Sequence, residues 1–204
     1  MTSVELIDTV RTYYSRRLAE HGPTPRGVDW NGIEFQEVRF RQLLKVCDGW
    51  ESPSLGDYGC GYGALREFAQ ASGFTGDYRG YDISPAMVEA ARGRCPGGTF
   101  ADSESVLDGT DFVVASGVMN VKLGVPLPEW DEYVLRTIDR LAALGRRGFA
   151  FNALTSYSDA DRVRPDLYYA DPCRLFDVCK RKYSRNVALL HDYGLYEFTI
   201  LVRN

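Results

Sequence analysis

The stretch Leu55-Gly-Asp-Tyr-Gly-Cys-Gly-Tyr-Gly63 decides the reading of this chain. It sets an acid, Asp57, ahead of glycines at alternate positions, Gly59, Gly61 and Gly63. Ala64-Leu-Arg-Glu-Phe-Ala69 follows with the pattern of a helix opening. A strand, a glycine turn and a helix N-terminus together let backbone approach a ligand without Cβ atoms in the way. Tyr78-Arg-Gly-Tyr-Asp82 then reads as a second strand ending in an acid, 19 residues beyond Gly63. An acid about 20 residues past such a turn reaches the ribose hydroxyls of a bound nucleoside.

From this first strand onward, strands alternate with helices. Arg79 to Asp82, Gly98 to Ala101, Asp111 to Ser116 and Arg147 to Asn152 read as strands. Between the last two, Trp130, Tyr133, Val134, Ile138, Leu141 and Ala142 recur at helical spacing within 129–144. Such alternation predicts a Rossmann-like α/β fold, a mostly parallel sheet with helices on both faces. Residues 171–182 read as a further helix. Asn186 to His191 and Leu195 to Arg203 then form an antiparallel hairpin around Asp192-Tyr193-Gly194, which brings the expected sheet to seven strands.

Upstream, Thr2-Ser3-Val4-Glu5 has capping-box spacing, and Ile7, Val10, Tyr14 and Leu18 follow as an amphipathic stripe. Gly22-Pro-Thr-Pro-Arg-Gly27 breaks that helix. A second helix over 33–46 places Ile33, Phe40, Leu43, Leu44 and Cys47 on one face, with Gln36 interrupting it. No linker separates these helices from the first strand. The expectation is one domain over 1–204, a helical cap at 1–50 on a cofactor-binding core at 51–204.

Together these motifs resemble the class I S-adenosylmethionine-dependent methyltransferases. Their first motif, acid-x-Gly-x-Gly-x-Gly, is matched at every fixed position by Asp57 to Gly63, and Asp82 fits the acid that ends their second strand. The following Asp82-Ile-Ser-x-x-Met87-x-x-x-Ala91 run is frequent in small-molecule members, and Asp102 matches an acid after strand three. The resemblance covers residues 50–204 and implies S-adenosylmethionine as cofactor. It further implies that Asp57, Gly59, Cys60, Gly61, Tyr62 and Gly63 face the amino-acid end and that Asp82 takes the ribose. Ile83 or Met87 would cover the adenine, and Asp102 with Ser103 would bind its edge.

Bulk properties exclude several other classes. Of 204 residues, 45% are hydrophobic and 25% charged, so disorder is not expected. A net charge of −4 argues against a nucleic-acid binder, which needs a basic field. No apolar run approaches the ~20 residues of a membrane span, and the N-terminus lacks a leader pattern, so the cytoplasm is the expected compartment. Five cysteines without a Cys-x-x-Cys pair, and only two histidines, fit neither a disulfide framework nor a metal site. No metal is expected.

Ligands of open α/β sheets lie beyond the carboxyl ends of the strands. That rule points to Ser116, Gly117, Met119 and Asn120 after strand four and to Asn152, Thr155, Ser156 and Tyr157 after strand five. Tyr168 and Tyr169, with Trp30 and Tyr13 or Tyr14 from the cap, would close the acceptor pocket, although core packing competes for every tyrosine. His191, beside Asp192, is the candidate general base, with a structural role as the alternative. The expected reaction moves a methyl group to an O or N nucleophile of a small molecule. Two other readings compete. Gly59-Cys-Gly61-Tyr-Gly63-Ala64 also satisfies the dinucleotide pattern of nicotinamide-dependent oxidoreductases, and a chain with these motifs can bind the cofactor as a sensor or partner subunit without turnover.

Overall fold

The computed structural model describes residues 3–204, with side chains from residue 5 onward. Past residue 53 each short apolar run forms a strand, and most amphipathic stretches cross back as helices. Strands β1 (Leu55–Tyr58), β2 (Tyr78–Tyr81), β3 (Thr99–Ala101), β4 (Phe112–Ala115) and β5 (Gly148–Thr155) are mutually parallel. Helices α3 (Ala64–Ala71), α4 (Pro85–Arg94) and α5 (Leu127–Leu144) connect them. Ahead of β1 stand α1 (Ser3–His21) and α2 (Ile33–Leu44). The capping box expected before α1 rests on residue 2 and the side chains of residues 3 and 4, which lie outside the described residues.

The strand order is β3-β2-β1-β4-β5-β8-β7, with β7 (Asn186–Leu190) and β8 (Glu197–Arg203) forming the expected antiparallel hairpin. An eighth strand joins the seven read from sequence. β6 (Tyr169–Ala170) pairs in parallel with Leu154 and Thr155 at the end of β5. Two residues carry no periodicity by which to find it. Helix α6 (Pro172–Lys182) follows, capped by the Asp171 carboxylate, which accepts from the N–H groups of Cys173 and Arg174.

Alternate residues of the central strands feed two cores. Val113, Phe149, Phe151, Ile200 and Val202 pack with Trp130, Val134 and Ile138 of α5 and with Leu6 and Val10 of α1. Phe112, Val114, Ala150 and Leu201 face Phe40 and Leu43 of α2, Leu65 of α3 and Val88 of α4. Helix α2 is therefore a layer over the sheet, and its buried stripe differs from the expected one. Ile33 is 61% exposed, whereas Gln36 and Arg39 are buried beside Phe40 and Leu43. Strand β8 is buried on both faces, Glu197, Thr199 and Leu201 as much as Phe198 and Ile200. Its place between β5 and β7, with helices over both faces, leaves it no solvent side.

The order reverses at β1, which has β2 on one side and β4 on the other. The carboxyl ends of β1 and β4 thus border the crevice in which open α/β sheets bind ligands. Packing near it is tight. A Cβ on Gly80 of β2 would sit 2.5 Å from Cδ1 of Phe100 and 2.9 Å from Sγ of Cys60. Gly80→Ala is expected to destabilise the fold by about 1–3 kcal/mol through overpacking. Urea denaturation measures this, and a loss under about 0.5 kcal/mol would show that Phe100 repacks freely.

Candidate cofactor and acceptor site

The turn after β1 holds its shape through the end of β2. Gly59, Gly61 and Gly63 have φ of 80°, 52° and 87°, a region that disfavours other residues. The N–H groups of Gly59 and Cys60 both donate to the Tyr81 carbonyl, at 2.8 and 2.9 Å. Gly61 N–H donates to Oδ2 of Asp82 at 2.9 Å, and Ser84 N–H donates to Oδ1 at 2.9 Å. One acid therefore fixes both the glycine turn and the start of α4, and each oxygen retains a lone pair for a ligand.

Two carboxyls stand at this turn with unusual affinities for protons. Burial pushes Asp57 up to about 7 from the usual 3.8, against the hydrogen bond from Tyr78, and Asp82 adds to the rise. Burial likewise pushes Asp82 up to about 6, opposed by the Ser84 and Gly61 N–H groups. Both acids thus favour a ligand that brings positive charge.

A cleft of about 120 Å³ lies above the turn, lined by Gly59, Gly61, Asp82, Ile83, Met87, Ser116 and Gly117. Aromatic rings Tyr58, Tyr81 and Tyr133 complete it, with Ile7, Val10 and Tyr14 of α1 opposite. Ile7 is 42% exposed because its part of the stripe faces this cleft rather than the core. An adjoining recess is bordered by Asp57, Cys60 and Tyr62, whose hydroxyl donates to Gln36 at 3.0 Å. Backbone without Cβ atoms, a doubly anchored acid, an apolar slab and ring edges suit a nucleoside that carries a cation. Three residues expected here do not line these spaces. Gly63 packs against Ala91 and Cys95 below α3, and Asp102 and Ser103 are exposed beyond β3, where the Ser103 hydroxyl pairs with Ser105.

A second cavity of about 590 Å³ abuts the cleft, and Tyr14, Val28, Trp30 and Gly117 line both. Asn120 borders it, its side-chain oxygen accepting from Leu154 N–H at 3.1 Å. Asn152 lies behind the wall: its Oδ1 accepts from Gly117 N–H at 2.8 Å, and its Nδ2 donates to Ser116 Oγ at 3.2 Å. It sets the loop after β4 instead of touching the cavity. Tyr168 is buried and donates to Asp131 of α5, while its neighbour Tyr169 lines the cavity. Arg39 and Glu197, unremarked in the sequence, also line it. The signal for them was a charged residue on the buried face of α2 and another inside an apolar strand.

The structure does not bring His191 to this site. The residue is exposed at the end of β7, with its ring near Tyr157 and Phe198 at 5.9 and 6.2 Å, and it borders neither cavity. β7 is the edge strand, three strands from β4 or about 14 Å at ~4.8 Å per strand, which sets its end apart from the cofactor crevice, while Gly194 to Glu197 beyond it line the larger cavity.

No family model matches the chain. Rv1506c of Mycobacterium tuberculosis, a protein named as a methyltransferase, is 53% identical over 163 residues, spanning 78% of this chain and 98% of its own. Among solved structures, magnesium protoporphyrin IX methyltransferase from Synechocystis PCC 6803, with S-adenosylhomocysteine bound, superposes at a TM-score of 0.64. It covers 100% of both chains at 18% identity. Human N-acetylserotonin methyltransferase, in complex with S-adenosylmethionine, gives 0.65 at 16% identity, over 100% of this chain and 60% of its own. Phosphoethanolamine N-methyltransferase 1 of Haemonchus contortus gives 0.65 at 12% identity, over 100% and 50%. These structures share the fold, and the Mycobacterium relative shares the sequence through nearly its whole length. With the Asp57 to Gly63 turn and Asp82 in place at the sheet's switch point, the chain belongs to the class I S-adenosylmethionine-dependent methyltransferases.

Proposed function

We propose that this chain transfers the methyl group of S-adenosylmethionine to an O or N nucleophile of a small molecule bound in the larger cavity. The observation that carries the reading is the common wall of Tyr14, Val28, Trp30 and Gly117, across which the two cavities meet. A volume of about 590 Å³ is that of a small-molecule pocket, typically some 300–1,000 Å³. We read residues 1–204 as one domain in which the N-terminal helices build part of the site.

The bound cofactor supplies a methyl group already activated on sulfonium. In this reading Asp57 and the backbone from Gly59 to Gly63 take its amino-acid end, with Cys60 and Tyr62 shaping the turn. Asp82 accepts from the ribose hydroxyls, and Ile83 and Met87 cover the adenine. Ser116 and Gly117 close the cleft after β4, with Asn152 fixing their backbone. Tyr14, Trp30 and Asn120 contact the acceptor, and Tyr168 stiffens the wall behind Tyr169.

The reading needs no base on the protein. Holding the nucleophile in line with the C–S bond supplies up to ~7–11 kcal/mol in favourable cases, and the proton leaves to water at the mouth. His191 has no part in this scheme. A net charge of −4 favours a small acceptor over a nucleic acid.

Isothermal titration of the purified chain with S-adenosylmethionine is expected to show one site, and a folded sample without binding would overturn the proposal. Asp82→Ala should weaken that binding by ~1–3 kcal/mol through lost charged hydrogen bonds; unchanged affinity would misplace the ribose. Formation of S-adenosylhomocysteine with members of a small-molecule acceptor panel tests turnover.

Affinity should also depend on pH. Because Asp57 and Asp82 are raised in the fold to about 7 and about 6, their contribution to the stability of the free protein is full below about 3.8. It is lost as pH rises through those folded values. A cationic cofactor favours the ionised acids, so its affinity should climb between pH 5.5 and about 7.5 with release of protons. Titrations in buffers of different ionisation enthalpy read this directly. Proton-neutral binding at pH 6.5 would show that the cofactor's charge does not meet these acids.

A further inference from the structure

The indole of Trp30, together with Val28, borders the cofactor cleft, its recess and the larger cavity, and its placement is unusually constrained. On one face it lies against Gly117, where a Cβ would come within 2.5 Å of Cζ2 of the ring. Gly117 has φ of 74°, and its N–H is held by Asn152, so the notch that receives the indole is built into the loop after β4. Over the ring stands the guanidinium of Arg39, its Cζ 3.9 Å from the ring centroid. That guanidinium is itself fixed by every nitrogen. Nε donates to Oε2 of Glu197 at 2.6 Å, Nη2 donates to Oε1 at 2.8 Å, and Nη1 donates to the Phe35 carbonyl. Arg39 is 8% exposed and Glu197 1%.

A forked pair this deeply buried costs desolvation that an apolar pair would avoid, so its presence calls for a use beyond stability. The segment carrying Trp30 is tied to α1, with Tyr13 and Arg17 holding the Asp29 carboxylate and Arg17 also donating to the Arg26 carbonyl, but none of these bonds reaches the indole itself. Residues 25–28 form a single turn, and Trp30 N–H donates to the Pro25 carbonyl at 2.8 Å. Arg39 is the charged group that stands over the ring itself. Past this ring the cofactor cleft, at about 120 Å³, opens onto both the recess and the larger cavity.

We infer that Arg39 and Glu197 are positioning residues that clamp Trp30 as the partition between cofactor cleft and acceptor cavity, and thereby set how fast cofactor enters and leaves. The inference rests on the cofactor site described above. Arg39 stacks on the ring with a planar cation, and Glu197 on β8 holds that cation flat and in place. A lysine cannot do both, because its ammonium is a point charge without a plane.

The test is the kinetics of S-adenosylmethionine binding, followed by stopped-flow mixing with intrinsic fluorescence, on the full chain. Arg39→Leu combined with Glu197→Leu removes both charges together and should melt near the wild type, since buried pairs exchanged for apolar residues are often tolerated. Its association and dissociation rates should both rise on the order of tenfold, the size expected of a lost gating contact. Trp30→Ala should match it, and the triple variant should show no further increase, because the clamp acts only through the ring. Arg39→Lys, which keeps the charge, guards against a misfolded double variant and should shift the rates in the same direction. Wild-type rates in the double variant or in Arg39→Lys would overturn the clamp, as would effects that simply add to those of Trp30→Ala. Failure of the wild-type chain to bind the cofactor would instead overturn the site itself, and the clamp with it.

Discussion

Everything at the site depends on how the end of β1 is tied to the end of β2. Three left-handed glycines would be a floppy connection by themselves, since each gives up more freedom on folding than any other residue. The Tyr81 carbonyl receives two of the turn's N–H groups, and the Asp82 carboxylate receives a third while also catching Ser84. The turn is thereby ordered by the neighbouring strand rather than by its own sequence. Removing side chains from it brings backbone to the ligand, and anchoring it elsewhere keeps that backbone still. This is preorganisation in its simplest form.

Electrostatics follows from the same packing. Burying Asp57 and Asp82 near one another, with no arginine or lysine paired to either among the described residues, raises their proton affinity. Elsewhere the chain places its buried acid quite differently: Glu197 is matched nitrogen for oxygen by Arg39. In the proposed reading the first two acids face the bound cofactor, whereas the paired acid holds a guanidinium in a fixed geometry.

The sequence disclosed what is local and withheld what is assembled. Asp57, the glycines and Asp82 lie within 26 consecutive residues, and they carry the turn, the strand and the resemblance that points to the ligand. Strand alternation disclosed the sheet and its terminal hairpin. Arg39 and Glu197 are separated by 158 positions and meet only because α2 lies across β8, so no motif could join them. His191 looked suitable by its neighbour Asp192, but strand order, which no single element encodes, carried it to the sheet's far side. Tyr168 and Tyr169 show the limit most finely. Tyr168, just ahead of β6, donates to Asp131, whereas Tyr169, the first residue of β6, lines the cavity. Which does which depends on β6, a strand too short to read.

The insertion of β8 between β5 and β7 also bears on how the molecule comes into being. Residues 148–155 and 186–190 do not pair with each other; each pairs with residues 197–203. During synthesis from the N-terminus, Phe149 and Phe151 of β5 therefore emerge well before Phe198, Ile200 and Val202, which share their core. Until then the nascent sheet carries an open, strongly apolar edge, the kind of surface that recruits other strands. The glycine turn and its acid can form early, from local sequence. The buried Arg39–Glu197 contact, and with it the wall of the acceptor cavity, waits for the final strand.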